Sequence, residues 1–348
     1  MRDTMCFRVL VLMAVTASAS AHHSRSVYYD MSRTVEITGA VVEWRFRSPH
    51  AFLSLEVTEQ DGSVERWAID GSSVPTLRRQ GLDQNSFAPG DVVTVFGQPS
   101  RDPNTRLAFA QTFVTADGRT LGERLALDEG VRLESDVQGV KRLEGRWQGL
   151  GMGASFRSDG ESPLPLSAAG REAWESYDDE LSPASTCEPI NTPALLHAPN
   201  LLFVVSISDE EATLYHEIYE VTRTVPLDSA PRQAEPSGIF GFVRGRVEGE
   251  ELVVESSRFP PSLWGLAVAA IPPGNGGDVP SSAEKRVTER YSARDGGQTL
   301  RVEYTVEDPV YLTEPYTGYR DFARVSDDTP LHPYGCDAVS ASRFSERE

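Results

Sequence analysis

The sequence predicts a mainly β protein with two domains, an OB-like five-stranded barrel followed by a second antiparallel β meander or barrel. Three observations support this: short segments alternate apolar and polar residues, turn residues separate the segments, and the chain is long. Without a predicted 21-residue signal, 348 − 21 = 327 residues remain, more than one ordinary core accommodates. We divide the chain into a signal peptide (1–21), the OB-like domain (22–117), a linker (118–140) and the second domain (141–348).

The first residues have the three parts of a secretory signal. Arg2 and Arg8 precede the apolar run "VLVLMAVTA", and small residues follow it in the pattern that signal peptidase accepts. We expect cleavage after Ala21, with cleavage after Ala19 as the alternative, and a periplasmic or secreted protein without a membrane span. Cys6 precedes the apolar run, so we do not expect a lipid anchor.

The first domain shows the element order of an OB barrel. "TVEITGAVVEWRF" changes its alternation phase near Val42, which predicts a bulged strand, and "AFLSLEV" and "VERWAID" predict a hairpin. "SSVPTLRRQGL" has Ser cap residues, an early Pro and a Gly stop, and predicts a short helix. "DVVTVFG" and "RLAFAQTFVT" then predict two more strands. Three strands, a helix and two strands are the order of the OB-fold.

The second domain is predicted to be a series of hairpins. It begins near "LEGRW", passes through a glycine-rich loop and a short helix in "SAAGREAWESYDD", and continues as strand pairs. The pairs are "NLLFVVSIS" with "ATLYHEIYEV", "GFVRGRVEG" with "ELVVESSRF", and "KRVTERYSA" with "TLRVEYTVE". A last strand covers "YTGYRDFARV", and the cluster "PPGNGGDVP" predicts a long loop.

The charge balance restricts the partners. The net charge is −19, and the signal contributes +1, so the mature chain carries −19 − 1 = −20. Phosphate backbones and anionic lipids attract Lys and Arg, so we expect neither nucleic acid nor a membrane surface as partner. An unknown small ligand or a protein partner stays open.

Two cysteines follow the predicted signal, Cys187 and Cys336. An even number in an oxidising compartment predicts a disulfide between them. The bond would close a loop of 336 − 187 = 149 residues and restrict the unfolded chain by roughly 5 kcal/mol in the entropy model.

The motifs resemble those of an uncharacterised bacterial periplasmic family, a domain of unknown function. The relevant segments are "AHHS…YD", "ITGAVVEWRFRSPHAFLSLEV", "PGDVVTVFGQPSRD" and "ADGRTL". Members share an Ala-His-His-Ser start and an Asn-Pro-His-Ala-Trp type motif, which here reads Ser48, Pro49, His50, Ala51, Phe52. The second half, with "STCEP" and "VTERY", resembles the companion domain of that family. The resemblance implies an exported two-domain protein and no known activity.

Searches for catalytic motifs favour a noncatalytic protein. There is no G-x-S-x-G elbow and no H-E-x-x-H zinc helix. "HEIYE" lies in a strand pattern that puts His216 and Glu220 on one face and Glu217 on the other, so we expect His216 to be a barrel histidine. The glycines of "GLGMGAS" predict a loop and not a nucleotide site.

The histidines at the cleavage site are the exception. After cleavage at Ala21, the amine and ring of His22 can chelate one metal, and nitrogen ligands in a square plane favour Cu(II) or Ni(II). His50 would complete a histidine brace, with His23 as a further candidate ligand. Cleavage after Ala19 would instead give an amino-terminal copper motif with His22 in third place.

Two functions follow from the sequence. The first is a noncatalytic periplasmic binding or interaction protein of unknown specific activity. The alternative is a copper-binding protein with a brace of His22 and His50, acting as a carrier or, less readily, an oxidative enzyme. A third interpretation of the two histidines is that they form an accessible polar terminus that binds no metal.

Overall fold

The computed structural model describes residues 28–122, 137–150, 164–176, 183–197, 201–228, 238–267 and 279–342. The predicted signal peptide, Cys6, His22 and His23 lie outside these residues, as do most of the predicted linker, the glycine-rich loop and most of the Pro and Gly cluster. Within them, no helix has the length and apolar character needed to cross a bilayer.

The first half of the chain forms a closed barrel. Its elements are β1 (Val35–Arg45), β2 (Phe52–Thr58), β3 (Val64–Asp70), α1 (Val74–Arg79), β4 (Val92–Pro99), β5 (Leu107–Thr115) and β6 (Thr120–Leu121). The strands pair in the order β3-β2-β1-β4-β5-β6, and β3 also pairs with β5 in parallel. This pairing closes five strands into a barrel, with the helix between the third and fourth strands. The predicted OB-like architecture is confirmed.

The predicted phase shift in β1 is a β-bulge. The pairing of β1 with β2 changes register between Val41 and Glu43, so Val42 is the extra residue. Ile37 and Val41 are buried before the bulge and Phe46 is buried after β1. The bulge lets one long strand bend around the barrel while its apolar side chains keep facing the core.

The second half forms a nearly closed antiparallel sheet, as predicted. Its strands are β7 (Gly145–Gly149), β8 (Leu202–Ile207), β9 (Glu211–His216), β10 (Val221–Pro226), β11 (Phe242–Glu248), β12 (Glu251–Ser257), β15 (Arg286–Arg294), β16 (Thr299–Glu307) and β17 (Tyr316–Val325). A separate two-stranded sheet contains β13 (Ser262–Ala267) and β14 (Val279–Ser281). The helices are α2 (Ala168–Glu175), α3 (Pro183–Thr186) and α4 (Ala338–Ser342). Short 3-10 helices cover Gly139–Leu143, Ala194–His197, Ile218–Glu220, Gly238–Phe240 and Asp295–Gly297.

The large sheet closes at a parallel seam. Its nine strands pair in the order β10-β9-β8-β7-β17-β16-β15-β12-β11, all antiparallel, so its two edge strands run in the same direction. A parallel bridge joins Leu227 to Gly245 across the seam. Gly245 permits this approach, because a Cβ there would lie 2.6 Å from Val225 Cγ1. Pro226 and the exposed Arg244 stand at the two edges, where such residues discourage pairing with other chains.

Charged side chains lie inside the second barrel. Arg223 and Glu289 are fully buried and form an ion pair at 2.5 Å. The Arg223 guanidinium also donates to Ser256 Oγ, and the Tyr291 hydroxyl donates to Glu289 Oε1 at 3.0 Å. A buried ion pair needs such additional hydrogen bonds to offset the loss of hydration. The barrel interior therefore contains a hydrogen-bonded polar network within its apolar core.

The strand predicted through "HEIYE" is shorter than expected. β9 ends at His216, and Ile218–Glu220 form a 3-10 turn in which Tyr219 and Glu220 have φ values of 52° and 53°. The predicted shared face of His216 and Glu220 is wrong, because Glu220 is exposed whereas His216 is buried and stacks on Phe203 at 4.4 Å. The turn brings the chain back as β10.

Glu217, at the start of this turn, joins the two barrels. Its side chain is fully buried, and Arg79 at the end of α1 donates to both carboxylate oxygens, at 2.7 and 2.8 Å. The backbone N–H groups of Leu202 and His332 donate to the same carboxylate, at 3.1 and 3.0 Å. One carboxylate therefore connects the first barrel, two strands of the second barrel and the chain near residue 332.

Replacing Arg79 with Met should destabilise the protein by about 3–5 kcal/mol, because it leaves the Glu217 carboxylate buried without its cation. Urea unfolding of the full mature chain measures the change. The control is Arg106→Met, which breaks the exposed ion pair with Glu65 and should change the free energy of unfolding far less, because water screens that pair. Equal effects of the two substitutions would contradict the role assigned to Glu217.

His216 should make the free energy of unfolding depend on pH. Burial, with a smaller contribution from the Arg223 charge, lowers the pKa of His216 from 6.5 to about 3. Between these pH values the unfolded chain binds one more proton than the folded chain, so stability falls as pH falls from 6.5 towards 3. At about 1.4 kcal/mol per pH unit, His216→Phe should reduce the loss between pH 7 and pH 4.5 by about 2–3 kcal/mol. An unchanged loss in urea unfolding at the two pH values would contradict this assignment.

Candidate functional site on the outside of the first barrel

The described chain enters the structure at one end of the first barrel. Tyr29 forms an antiparallel bridge with Ser100, directly after β4. Asp30 N donates to Pro99 O and Arg101 N donates to Tyr28 O, both at 2.8 Å. This pairing fixes the residues that follow position 27 next to the β4–β5 connection.

Buried residues cover the outer side of the strands at this end. Leu53 and Ile69 point into the core, so their neighbours Phe52 and Asp70, which pair with each other, point outwards. Asp70 also pairs with Phe109 in β5, which is outside the core cluster too. We call Tyr29, His50, Phe52, Asp70 and Phe109 the amino-terminal face.

A buried carboxylate lies at the centre of this face. Asp70 is 1% exposed and accepts a hydrogen bond from the Tyr29 hydroxyl, itself on a residue 2% exposed. The Tyr29 ring meets Phe109 edge to face, with centroids 5.6 Å apart. The parallel pairing of β3 with β5 is what brings Asp70 beside Phe109.

His50 lies at the rim of the amino-terminal face. It is half-buried, its Nδ1 lies 2.9 Å from Gly71 O, and its ring meets Phe109 edge to face at 6.0 Å. A carbonyl oxygen only accepts, so His50 Nδ1 is the donor of this hydrogen bond. Metal-binding histidines commonly have this arrangement.

The position of the face agrees with the ligand-binding region of OB barrels. Those barrels bind ligands on the second and third strands, between the loop after the first strand and the loop before the fifth. Here the two loops are residues 46–51, which contain His50, and residues 100–106, which begin beside Tyr29.

Of the predicted metal ligands, His50 lies on the amino-terminal face, whereas His22 and His23 lie outside the described residues. Among the described residues, no group of three or more His, Cys, Asp or Glu side chains could hold a metal ion. The brace therefore stays a prediction. The Cys187–Cys336 disulfide predicted from the sequence is present in the structure.

Sequence reasoning did not find the partners of His50. Asp70 ends a predicted strand and Phe109 lies inside another, 39 positions later, so only the parallel pairing of β3 with β5 shows that they meet. It also missed Arg223 and Glu289. Each could have been found as a charged residue at a strand position whose neighbours two residues away are apolar, in "TRT" and "TER".

Most of the face lies in the part of the chain that matches a family model. Residues 10–108 match the model of the family described as "Family of unknown function (DUF6152)". This agrees with the predicted resemblance to an uncharacterised family. The DUF6152 match contains Tyr29, His50, Phe52 and Asp70 and ends one residue before Phe109. No curated protein matches the chain.

Tyr29→Phe should destabilise the protein by about 1–3 kcal/mol, because it removes a hydroxyl donor from the buried Asp70 carboxylate. Thermal and urea unfolding measure the effect. Ser32→Ala is the control, since the Ser32 hydroxyl donates to the Asp30 carboxylate, which is open to solvent, and its loss should change stability much less. If Tyr29→Phe is as mild as this control, the Tyr29–Asp70 bond does not stabilise the face.

Proposed function

We propose that the protein is an exported, noncatalytic binding protein that takes a small cationic ligand on the amino-terminal face. The observation that carries this proposal is the buried Asp70 carboxylate, which accepts from the Tyr29 hydroxyl and belongs to a residue paired with Phe52 and Phe109. A carboxylate attracts cations, and the attraction is stronger in the low dielectric of a buried site. Aromatic rings attract cations as well.

The charge of the whole chain supports a cationic ligand. The net charge of −19 raises the local concentration of cations around the protein. The disulfide is compatible with the oxidising compartment that export would provide, in the periplasm or outside the cell.

The docking of the two barrels leaves this face as the candidate surface of the OB barrel. The end of α1 is occupied by the Arg79–Glu217 pair. Ser48, in the loop after β1, pairs with the chain at Cys336. His50 lies two residues beyond Ser48, on the side of that loop that faces Gly71 and Phe109.

Native mass spectrometry of untagged protein purified from a bacterial periplasm tests the proposal. We expect the wild-type protein to carry a bound mass, or to be stabilised against heat by copper(II), zinc(II) or choline as cationic probes. Asp70→Asn should reduce this binding at least about tenfold, which is about 1.4 kcal/mol.

Asp308→Asn is the control, because Asp308 is a buried carboxylate of the second barrel and should leave binding unchanged. Binding that survives in Asp70→Asn, or no bound mass and no stabilisation by any of the three probes, would contradict the proposal.

The second candidate is a copper protein with His22 and His50 as ligands. The observation that favours it is the bond from His50 Nδ1 to Gly71 O, because metal-binding histidines commonly bind a backbone carbonyl with one ring nitrogen. The described chain reaches this face at Tyr28, six positions after His22, and six residues can extend about 20 Å. An amino-terminal His22 is therefore within reach of His50 in chain length.

Copper binding makes a specific prediction. If cleavage follows Ala21, Cu(II) should bind at one equivalent with type 2 electron paramagnetic resonance features from nitrogen ligands. Binding should weaken below about pH 6.5, because protons compete for histidine nitrogens. One residue added before His22 should disrupt the chelate of amine and ring. His50→Ala should remove one ligand and lower the affinity by less.

Amino-terminal sequencing comes first, since cleavage after Ala19 would leave His22 in third place. His332→Ala is the matched control, because the backbone and not the ring of His332 donates to Glu217. Copper binding equal to that of a His23→Ala and His50→Ala double variant would rule out the brace.

A further inference from the structure

The loop that carries His50 is paired with a segment from the far end of the chain. We call residues 331–342 the strap. Ser48 N donates to Gly335 O at 3.1 Å, and Asp337 N donates to Ser48 O at 3.0 Å. Ser48 and Cys336 thereby form a parallel bridge. The strap of the second domain thus supplies a short strand-like partner to the first barrel.

Ser48 links the strap to the residues beside the amino-terminal face. Its side chain is fully buried, and Ser48 Oγ accepts from Val74 N at 3.1 Å. Next to it, Gly71 N donates to Ala51 O at 2.7 Å, and His50 Nδ1 donates to Gly71 O. The loop of residues 48–51 therefore lies between the strap on one side and residues 71–74 on the other.

The disulfide holds the part of the strap that touches Ser48. Cys336 is the residue that bridges to Ser48, and its partner Cys187 directly follows α3. Upstream, His332 N is bonded to Glu217 and Tyr334 is buried. Without the disulfide, the strap would stay attached up to Tyr334 and lose a covalent anchor at the bridge.

Both cysteines are half-buried, so a reductant can approach the bond. A thiolate of a dithiol attacks one sulfur, the Cys187–Cys336 bond breaks, and a mixed disulfide forms. The second thiol of the reductant then displaces the protein sulfur. Two electrons and two protons pass to Cys187 and Cys336, and the reductant leaves as a disulfide.

We propose that the Cys187–Cys336 disulfide is a redox-responsive latch for the amino-terminal face. In the oxidised protein it holds the strap on Ser48 and thereby orients His50. A dithiol that reduces the bond loosens this pairing and lowers the affinity of the face for its ligand. The effect on ligand affinity rests on the function proposed above, whereas the effect on Ser48 and His50 does not.

Amide hydrogen exchange and the His50 ring signals in NMR test the latch on the full mature chain. We compare oxidised wild-type protein with a Cys187→Ser and Cys336→Ser double variant. Exchange at Ser48 and Asp337 should be at least about tenfold faster in the variant, and the His50 ring signals should shift. The amides of Val254 and Val302 in the second barrel report the general loss of stability without the disulfide, whereas the His50 ring signals report the folded state alone. Wild-type protein reduced with dithiothreitol replaces the variant if the variant does not fold.

The double variant also serves for copper titration, since it needs no thiol reagent. We expect Cu(II) affinity to fall at least about threefold relative to the oxidised wild type. Unchanged exchange at Ser48 and unchanged His50 signals would overturn the latch, whether or not copper binds. Changed signals with equal copper affinity would overturn its effect on binding. If neither form binds copper, the copper function fails, and shifted His50 signals with faster Ser48 exchange still support the latch.

Discussion

The buried Glu217 carboxylate is the constraint on which the arrangement of the two barrels depends. Its four hydrogen bonds come from α1, β8 and the strap, so none of these can move without leaving a charge unsatisfied in the interior. The same carboxylate ends β9 and starts the turn into β10. One side chain at this turn thereby connects the second barrel, the strap and the first barrel.

Local pattern was enough to predict most strands, because alternation reports which face of a strand is buried. "YTGYRDFARV" is β17 from its first residue to its last, and the phase shift near Val42 is the bulge. The end of β9 was not predictable in this way. "LYHEIYEV" continues to alternate beyond His216, whereas the chain turns there and Glu217 binds Arg79, which is 138 positions away.

The residues of the candidate site likewise include some that the local pattern could predict and others that it could not. His50 could be singled out because its residue type and neighbours suggest chemistry without any knowledge of the fold. Asp70 and Phe109 are ordinary strand residues until the parallel pairing of β3 with β5 places them together. Ser48 could not be singled out from the sequence either, because its role depends on its pairing with the strap, nearly 300 residues later. Contacts that close a barrel are long-range, and a linear pattern does not contain them.

The odd number of strands in the second sheet also limits how this fold can change. Antiparallel sheets grow and shrink by hairpins, and each hairpin adds or removes two strands. The nine described strands of this sheet would remain odd in number after such a change, so its two edge strands would still run in the same direction. Only the gain or loss of a single strand abolishes the seam. The parallel direction of the seam at Gly245 and Leu227 therefore follows from the odd number of strands in the described sheet.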